Sequence, residues 1–409
     1  MTLESNVKWP TKRLGDLAEF RNGVNYNKSS FGEGVKVVGV SDFQDYTKPR
    51  YGELEQINPE GIVTERNILR DGDIVFVRSN GNRELIGRSL FIEQPPEEIT
   101  HSAFTIRLRF ISREVHPKFY AYCFRTPIIR KELTASGGGT NISNLNQDIL
   151  NALEVPFPTL PEQRRIAGIL SAYDELIENS QRRIRILEGM ARALYREWFV
   201  HFRFPGHEKL PRVASSLGDI PKGWEATTLG AHLSALESGK RPKGGIREEA
   251  DGVPSIGAEN INGIGRHDFA GEKLVPREFF EQMRKGVVRD RDVAIYKDGA
   301  YIGKSSYFRD GFPHLECCVN EHVFLLRGDG LRAKQNFLYV WLQEPDTVQT
   351  IRSKNANAAQ PGINQQTIAG LELVLPDEKG AAHFDRSVEP LLAEIINLAK
   401  RIQNLLAAE

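Results

Sequence analysis

The stretch ILNALEVPFP at 149–158 returns as TIAGLELVLP at 367–376: Leu153 meets Leu371, Val155 meets Leu373 and Pro158 meets Pro376, each at an offset of 218. Upstream the order is kept. LNQ (145–147) meets INQ (363–365) at 218, RDGDIV (70–75) meets RDRDVA (289–294) at 219, and IGRS (86–89) meets IGKS (302–305) at 216. WPTKRLGDL (9–17) meets WEATTLGAHL (224–233) near 215. Chance matches would scatter, whereas these drift by only a few residues, as loops of changing length require. A chain of 409 residues is comfortable for two domains, and this one reads as two copies of one unit.

Each copy has the same internal plan. GVKVVGVSDF, DIVFVRS and AFTIRLRF in the first copy, and DVAIYK and EHVFLLR in the second, read as strands separated by Gly, Asn, Asp and Pro clusters. KFYAYCFRTPIIRKEL and QNFLYVWLQEPDTVQTI read as helices. Each copy then ends in a helix with a heptad seam. In the first, apolar residues fall at Ile166, Leu170, Tyr173, Ile177, Ile184, Leu187, Ala191, Leu194 and Trp198, interrupted only by Ser180. Adding 218 reproduces the second seam: Phe384, Val388, Leu391, Ile395, Leu398, Ile402 and Leu405. The first seam spans about 48 Å at about 1.5 Å per residue, too long to cap one small domain. Two such seams pack most simply on each other. Because each domain precedes its helix, parallel pairing would make the domains collide, so the helices are expected to run antiparallel.

Composition narrows the function classes. Hydrophobic residues make up 40% of the chain, enough for real cores, and Lys+Arg 54 balances Asp+Glu 54. That balance argues against a sequence-blind nucleic-acid coat but leaves room for local basic patches. Cys123, Cys317 and Cys318 do not make a disulfide framework, so a reducing, cytoplasmic setting is expected. The N-terminal MTLESNVKWP is not a signal peptide. No apolar run approaches the roughly 18 residues of a membrane span.

LPEQRRIAGIL (160–170), the heptad seam, REWFVHFRFPG (196–206) and GDIPKGWE (218–225) closely resemble the specificity subunit of type I restriction-modification systems, and the doubled domain-plus-helix plan extends that resemblance over nearly the whole chain. It implies an α+β fold: two pseudo-repeated mixed α/β target-recognition domains separated by two long helices forming an antiparallel coiled coil. The boundaries would be 1–158 and 205–376 for the domains, and 159–204 and 377–409 for the helices. The resemblance further implies a non-catalytic subunit that reads double-stranded DNA, one domain per half-site. Two methyltransferase subunits and the restriction and translocase subunits would be its partners, with S-adenosylmethionine bound by the methyltransferase and not by this chain. REWFVHFRF, whose Trp198, Phe199, Phe202 and Phe204 exceed what one helix can bury, is expected to help dock the methyltransferase. The second helix has no such counterpart, so that contact is expected on one side only.

The chain carries no evident chemistry of its own. An amino-methyltransferase needs an Asn/Asp-Pro-Pro-aromatic motif to hold a flipped base; Asn58-Pro59-Glu60-Gly61 lacks the second proline and the aromatic and reads as a turn. No glycine-rich cofactor loop has the required context, and SGGGTNISN (136–144) has no Walker lysine. Asp71 and Asp73, repeated as Asp290 and Asp292, read as turns entering strands. His314 with Cys317 and Cys318 lacks a second pair of ligands at finger-like spacing, so no metal site is expected. The rival readings are a stand-alone methyltransferase or nuclease, and a protein-bridging scaffold without DNA contact.

Base reading requires forked donors or amides on loops, and phosphate anchoring requires Lys, Arg, Ser or Thr. The candidates are therefore Arg78, Ser79, Asn80, Asn82 and Arg83 in VRSNGNRELIGRS; Lys297, Tyr301 and Lys304 in YKDGAYIGKS; Ser136, Thr140 and Asn141 against Asn355, Asn357 and Gln360 in the small-residue loops; and Lys240, Arg241 and Lys243 in SGKRPKGG, opposite RNGVNYNK. The loop from Asp73 to Gly87 shortens by three residues between Asp292 and Gly303, which is where two different readouts could be built.

Overall fold

In the computed structural model, which describes residues 9–44, 47–80, 82–135, 144–243, 252–299, 301–354 and 362–408, the chain forms two compact units, Met1–Asp174 and Glu175–Glu409. The sequence repeat is also a repeat in topology. The first unit holds an antiparallel sheet in the order Ala18–Asn22, Thr105–Phe110, Ile74–Val77, Ser89–Phe91. The second holds Leu233–Ser238, Val323–Gly328, Val293–Tyr296, Ser305–Tyr307 in the same order and sense. Each unit adds a smaller sheet with one parallel pair: Phe31–Val38 beside Ile99–His101, and Val253–Ile256 beside Cys318–Val319. A two-stranded ribbon closes each unit, Thr11–Arg13 on Glu154–Pro156 and Glu225–Thr228 on Glu372–Leu375.

The repeated aspartates are structural. Asp73 Oδ2 accepts from Arg70 N (2.7 Å), and the carboxylate takes a two-pronged pair from Arg109 at 2.7 and 2.6 Å. Asp292 accepts from Arg289 N (2.9 Å) and takes the same fork from Arg327, also at 2.7 and 2.6 Å. Asp71 accepts from Gln94 N and Asp290 from Asp310 N. The turn reading holds, and the buried arginine fork completes it. Asn58 Oδ1 accepts from Glu60 N (3.0 Å), which makes Asn58–Gly61 a turn as well.

Two expected helices are each split. Pro117–Cys123 and Pro127–Ala135 replace a continuous 118–133 helix, and Gln335–Leu342 and Pro345–Ser353 replace the second. Pro127 and Pro345 cannot continue a helix but suit its first turn, so each starts a new one.

The long helix, Leu160–Tyr195, is part of both cores. In the first unit Ala167 is buried and Ile166 packs beside it against the cluster of Tyr120, Phe124, Leu150 and Val155. Gln163 is fully buried; its Nε2 donates to Glu114 O (3.1 Å) and Pro158 O (2.9 Å), and its Oε1 accepts from His116 N (2.8 Å). In the second unit Ile184, Ala191, Tyr195, Trp198 and Phe199 share a core with Phe384, Val388, Leu392, Ile395 and Ile396 of the C-terminal helix Glu378–Ala408. Arg183 meets Glu394 at 2.7 Å, while Trp198, further along, meets Phe384, further back, at 5.6 Å between ring centres. The two helices therefore run antiparallel. Ser180, the break in the seam, is buried and satisfies itself by donating to Leu176 O (2.7 Å).

The C-terminal seam is wider than a coiled-coil stripe. Leu392, Ile396 and Ala399 are buried beside Val388, Ile395 and Leu398, because this helix packs on its partner and also on the domain, chiefly along Gln335–Leu342. A helix with two neighbours needs the broader apolar face.

Glu389 pins that helix to the sheet. Its carboxylate accepts from Arg291 (2.9 and 2.7 Å), Arg309 (2.8 Å) and Asn336 (2.8 Å), and Tyr307 in turn donates to Asn336 Oδ1 (2.8 Å). Burial would raise the Glu389 carboxyl, but the hydrogen bonds from Arg291, Arg309 and Asn336 outweigh it and hold it down to about 2. A depressed carboxyl stabilises the fold above its ordinary range near 4.5 and loses that contribution as pH falls towards 2. Glu389→Gln should cost about 2 kcal/mol at pH 7, less than the about 3–5 kcal/mol of a broken fully buried pair because part of the side chain meets solvent. Denaturant melts of wild type and variant should differ at pH 7 and converge on acidification; a constant difference down to pH 2 would contradict this role.

Candidate nucleic-acid interface

In the first unit, strand Ile74–Val77 is buried throughout and leads into Arg78. Arg78 N donates to Phe104 O (2.8 Å), and Arg78 O accepts from Leu145 N (2.9 Å). The chain returns at Arg88, whose carbonyl accepts from Val77 N (2.9 Å). The second unit repeats each bond. Lys297 N donates to His322 O (3.1 Å), Lys297 O accepts from Ile363 N (2.9 Å), and Lys304 O accepts from Tyr296 N (2.8 Å). Arg78 thus stands where Lys297 stands, and Arg88 where Lys304 stands. A basic residue occupies each end of the loop in both units.

A third segment is drawn to the same edge by a glycine. A Cβ on Gly23 would lie 2.1 Å from His101 O, and one on Gly239 would lie 1.5 Å from Val319 O. Only glycine lets these segments lie flat on the neighbouring strand end. In the second unit Lys240, Arg241 and Lys243 follow immediately, all exposed or half-buried at the surface. In the first, the segment continues from Gly23 through Asn25, Asn27, Lys28 and Ser29, which also meet solvent. The residue pair Asp298 and Gly362 forms an isolated bridge, so the chain emerging at 362 joins this edge too.

The structure therefore brings Arg78, Ser79 and the segments at 22–27, 102–104 and 144–146 to one edge of the first unit. It brings Lys240, Arg241, Lys297, Tyr301 and Lys304 to the matching edge of the second. Arg241 Nε pairs with Glu321 Oε1 at 2.9 Å, and His322 Nδ1 with Asp298 Oδ2 at 2.9 Å. The Lys304 ammonium lies 4.3 Å from the centre of the Tyr301 ring, and that of Lys297 lies 5.0 Å from the centre of Phe324. Asn80 Oδ1 accepts from Asn82 N (2.7 Å), and Asn82 Oδ1 from Glu84 N (3.0 Å). Forked reading of adenine uses both amide atoms, so in this conformation these two residues shape the loop. Ser136, Thr140, Asn141, Asn355, Asn357 and Gln360 lie outside the described residues, and Arg83 belongs to the short turn Arg83–Leu85.

Sequence reasoning passed over two members of this edge. Arg88 is the counterpart of Lys304, visible once IGRS is laid on IGKS. Phe104 is exposed although its own carbonyl anchors Arg78; in sequence it looks like one more strand aromatic.

The family described as type I restriction modification DNA specificity domain matches residues 6–188. The putative type I restriction enzyme MjaX specificity subunit of Methanocaldococcus jannaschii is 30% identical, over 97% of this chain and 92% of that one. The chain belongs to the family of type I restriction-modification specificity subunits. A second relative from the same organism, the type I restriction enzyme MjaIX specificity subunit, is 24% identical over 97% of this chain and 90% of its own. The crystal structure of a type I restriction-modification S subunit from M. genitalium shares the fold, with a TM-score of 0.60, 18% identity, and coverage of 100% of this chain and 96% of that one. Among the described residues of this specificity subunit, no helix is long and apolar enough to cross a membrane.

One expectation for the specificity subunit is corrected. The aromatics of REWFVHFRF are consumed by its second unit. Trp198 and Phe199 are buried, Phe199 packs on Trp224 (5.3 Å) and Phe337 (4.9 Å), and Phe204 stacks on Trp224 (4.9 Å). The surplus that one helix cannot bury is covered by the adjoining domain, so these rings do not form an external docking surface.

The glycine frame yields a prediction. Gly239→Ala must push the Lys240–Lys243 segment off the strand end, with a cost of about 2–3 kcal/mol for overpacking, or a melting temperature lower by roughly 5–10 °C for a unit of this size. The substitution should also weaken DNA binding by the assembled complex. A variant that melts with wild type would show that the segment is not seated as described.

Proposed function

We propose that this specificity subunit is the non-catalytic reader of a type I restriction-modification complex, contacting double-stranded DNA with one unit per half-site. The observation that carries the reading is the matched edge. The same backbone bonds hold two loop sets with basic ends, Arg78 and Arg88 in one unit and Lys297 and Lys304 in the other, while the residues between them differ in number and kind. An identical frame with unlike loops is what two readers of unlike sequences need. Basic loop ends suit phosphates, which fix register, and the exposed rings of Phe104 and Tyr301 suit apolar contact with base edges.

The long helices would set the unread gap between the half-sites. Their outer face would dock two methyltransferase subunits and, with them, the restriction and translocase subunits. Exposed Ile186 and Met190 on the long helix, and Val200 at the end of the helical turn Arg196–Val200 that follows it, supply apolar contact area for such docking. S-adenosylmethionine would be held by the methyltransferase, and the complex would work in the cytoplasm. The non-catalytic reading is supported by the duties of the repeated carboxylates: Asp73 and Asp292 cap turns and hold arginines, and Asp71 and Asp290 accept the backbone N–H of Gln94 and of Asp310.

Exchange of residues 1–158 for the equivalent unit of a relative tests this. In the assembled complex, methylation of a random-sequence DNA pool should show one half of the target changed and the other retained, and the chain without partners should neither methylate nor cut. A change in both halves would show that the units do not read independently.

A further inference from the structure

In the second unit three side chains from two separate loops converge. His267 and Glu272 lie in the loop between the turn Ala258–Asn260 and strand Leu274–Val275, and His314 lies between strands Ser305–Tyr307 and Cys318–Val319. One donor atom from each, the two imidazole Nε2 atoms and Glu272 Oε1, falls within 4.8 Å of the others, and both histidines address that same carboxylate oxygen. His267 is almost wholly buried, Glu272 mostly so, and His314 is the most accessible. Phe269 fixes the ring orientations, 4.6 Å from His267 and 5.7 Å from His314 between ring centres. Cys317 and Cys318 are buried in two other apolar clusters and take no part.

We propose that His267, Glu272 and His314 form a first-row transition-metal site, with zinc as the best-suited ion, that ties the 257–273 loop to the 308–317 loop. Two imidazole nitrogens and one carboxylate oxygen are a borderline donor set of the kind zinc takes. Ligand bonds of about 2.0–2.2 Å need donors spaced a little over 3 Å apart, so small side-chain rotations would adjust the set to hold an ion. Solvent at the accessible His314 side would supply the fourth ligand.

The first unit shows what the tie is for. There the equivalent loops, 39–54 and 92–98, contain no histidine. They are joined instead by Tyr51 Oη, which donates to Glu93 O (2.9 Å), and by Lys48 and Glu93 at 3.6 Å. Both units cross-link the same two loops. The second unit does so with metal-binding chemistry where the first uses a phenol and an ammonium. The pairing of His267 with His314 was out of reach of motif reasoning because three strands and a short helix lie between them and they match no finger spacing.

The test uses the full-length, tag-free chain stripped with chelator. Calorimetric titration with zinc chloride should give one site per chain, the cobalt-substituted protein should show the visible absorption bands of a low-coordinate nitrogen and oxygen site, and zinc should raise the melting temperature. His314→Ala should lose the site. Glu272→Gln, which keeps the shape and can still hydrogen-bond both rings, should fold normally by circular dichroism and lose more zinc affinity than the about 10–100-fold typical of outer-shell changes. His207→Ala, in the turn after Phe204, should bind as wild type does. No zinc binding by the wild type, or equal binding by wild type, His314→Ala and Glu272→Gln, would overturn the proposal. Loss of DNA reading with zinc binding intact would bear on the proposed function and leave this site standing.

Discussion

Phe384 lies within 6.3 Å, ring centre to ring centre, of Tyr195, Trp198, Phe199 and Phe337. That one aromatic contact joins the end of the long helix, the start of the C-terminal helix and the helix that covers the second sheet. At the other end of the long helix, buried Gln163 holds three backbone groups of the first unit. In neither unit is the helix an appendage on a flexible linker. Its side chains are part of the core, so moving the helix would mean breaking the core. A fixed geometry between the loop edge and its helix results within each unit, and the proposed spacer role for the helices rests on that rigidity.

The two units show what the fold holds constant and what it releases. The arginine forks on Asp73 and Asp292, the glycines pressed on strand-end carbonyls, and the backbone bonds from Leu145 and Ile363 recur atom for atom. Each satisfies a buried polar group or fills a gap with no room for a side chain, and changing one would leave a desolvated charge or a clash. The loops between those fixed points meet solvent, bear no such penalty, and differ. Specificity can then change without a new fold.

Much of this was legible in the chain because it rests on period and repetition. The seam from Ile166 to Trp198 reads out at heptad spacing, and the 218-residue offset exposes the second copy. The unread parts depend on partners distant in sequence. Leu392, Ile396 and Ala399 look like noise beside the seam until the C-terminal helix is seen to have two neighbours. Trp198, Phe199 and Phe204 look surplus until Trp224 covers them. Phe104 looks like a core residue, and only the turn of the strand end exposes it. The proline breaks at Pro127 and Pro345 were readable from local sterics, yet the apolar runs around them suggested continuous helices.

In the proposed function, paired helices would fix the distance between two loop edges that read DNA independently. Four residues inserted after Ser180, with a matching insertion at the equivalent point of the C-terminal helix, would lengthen both struts by about 6 Å and rotate the distal part of each helix by about 40°. Methylation by the assembled complex should then be measured on DNAs that differ only in the number of base pairs between the two half-sites. The account predicts the same half-sites and a longer preferred gap. An intact complex with an unchanged preferred gap would contradict it.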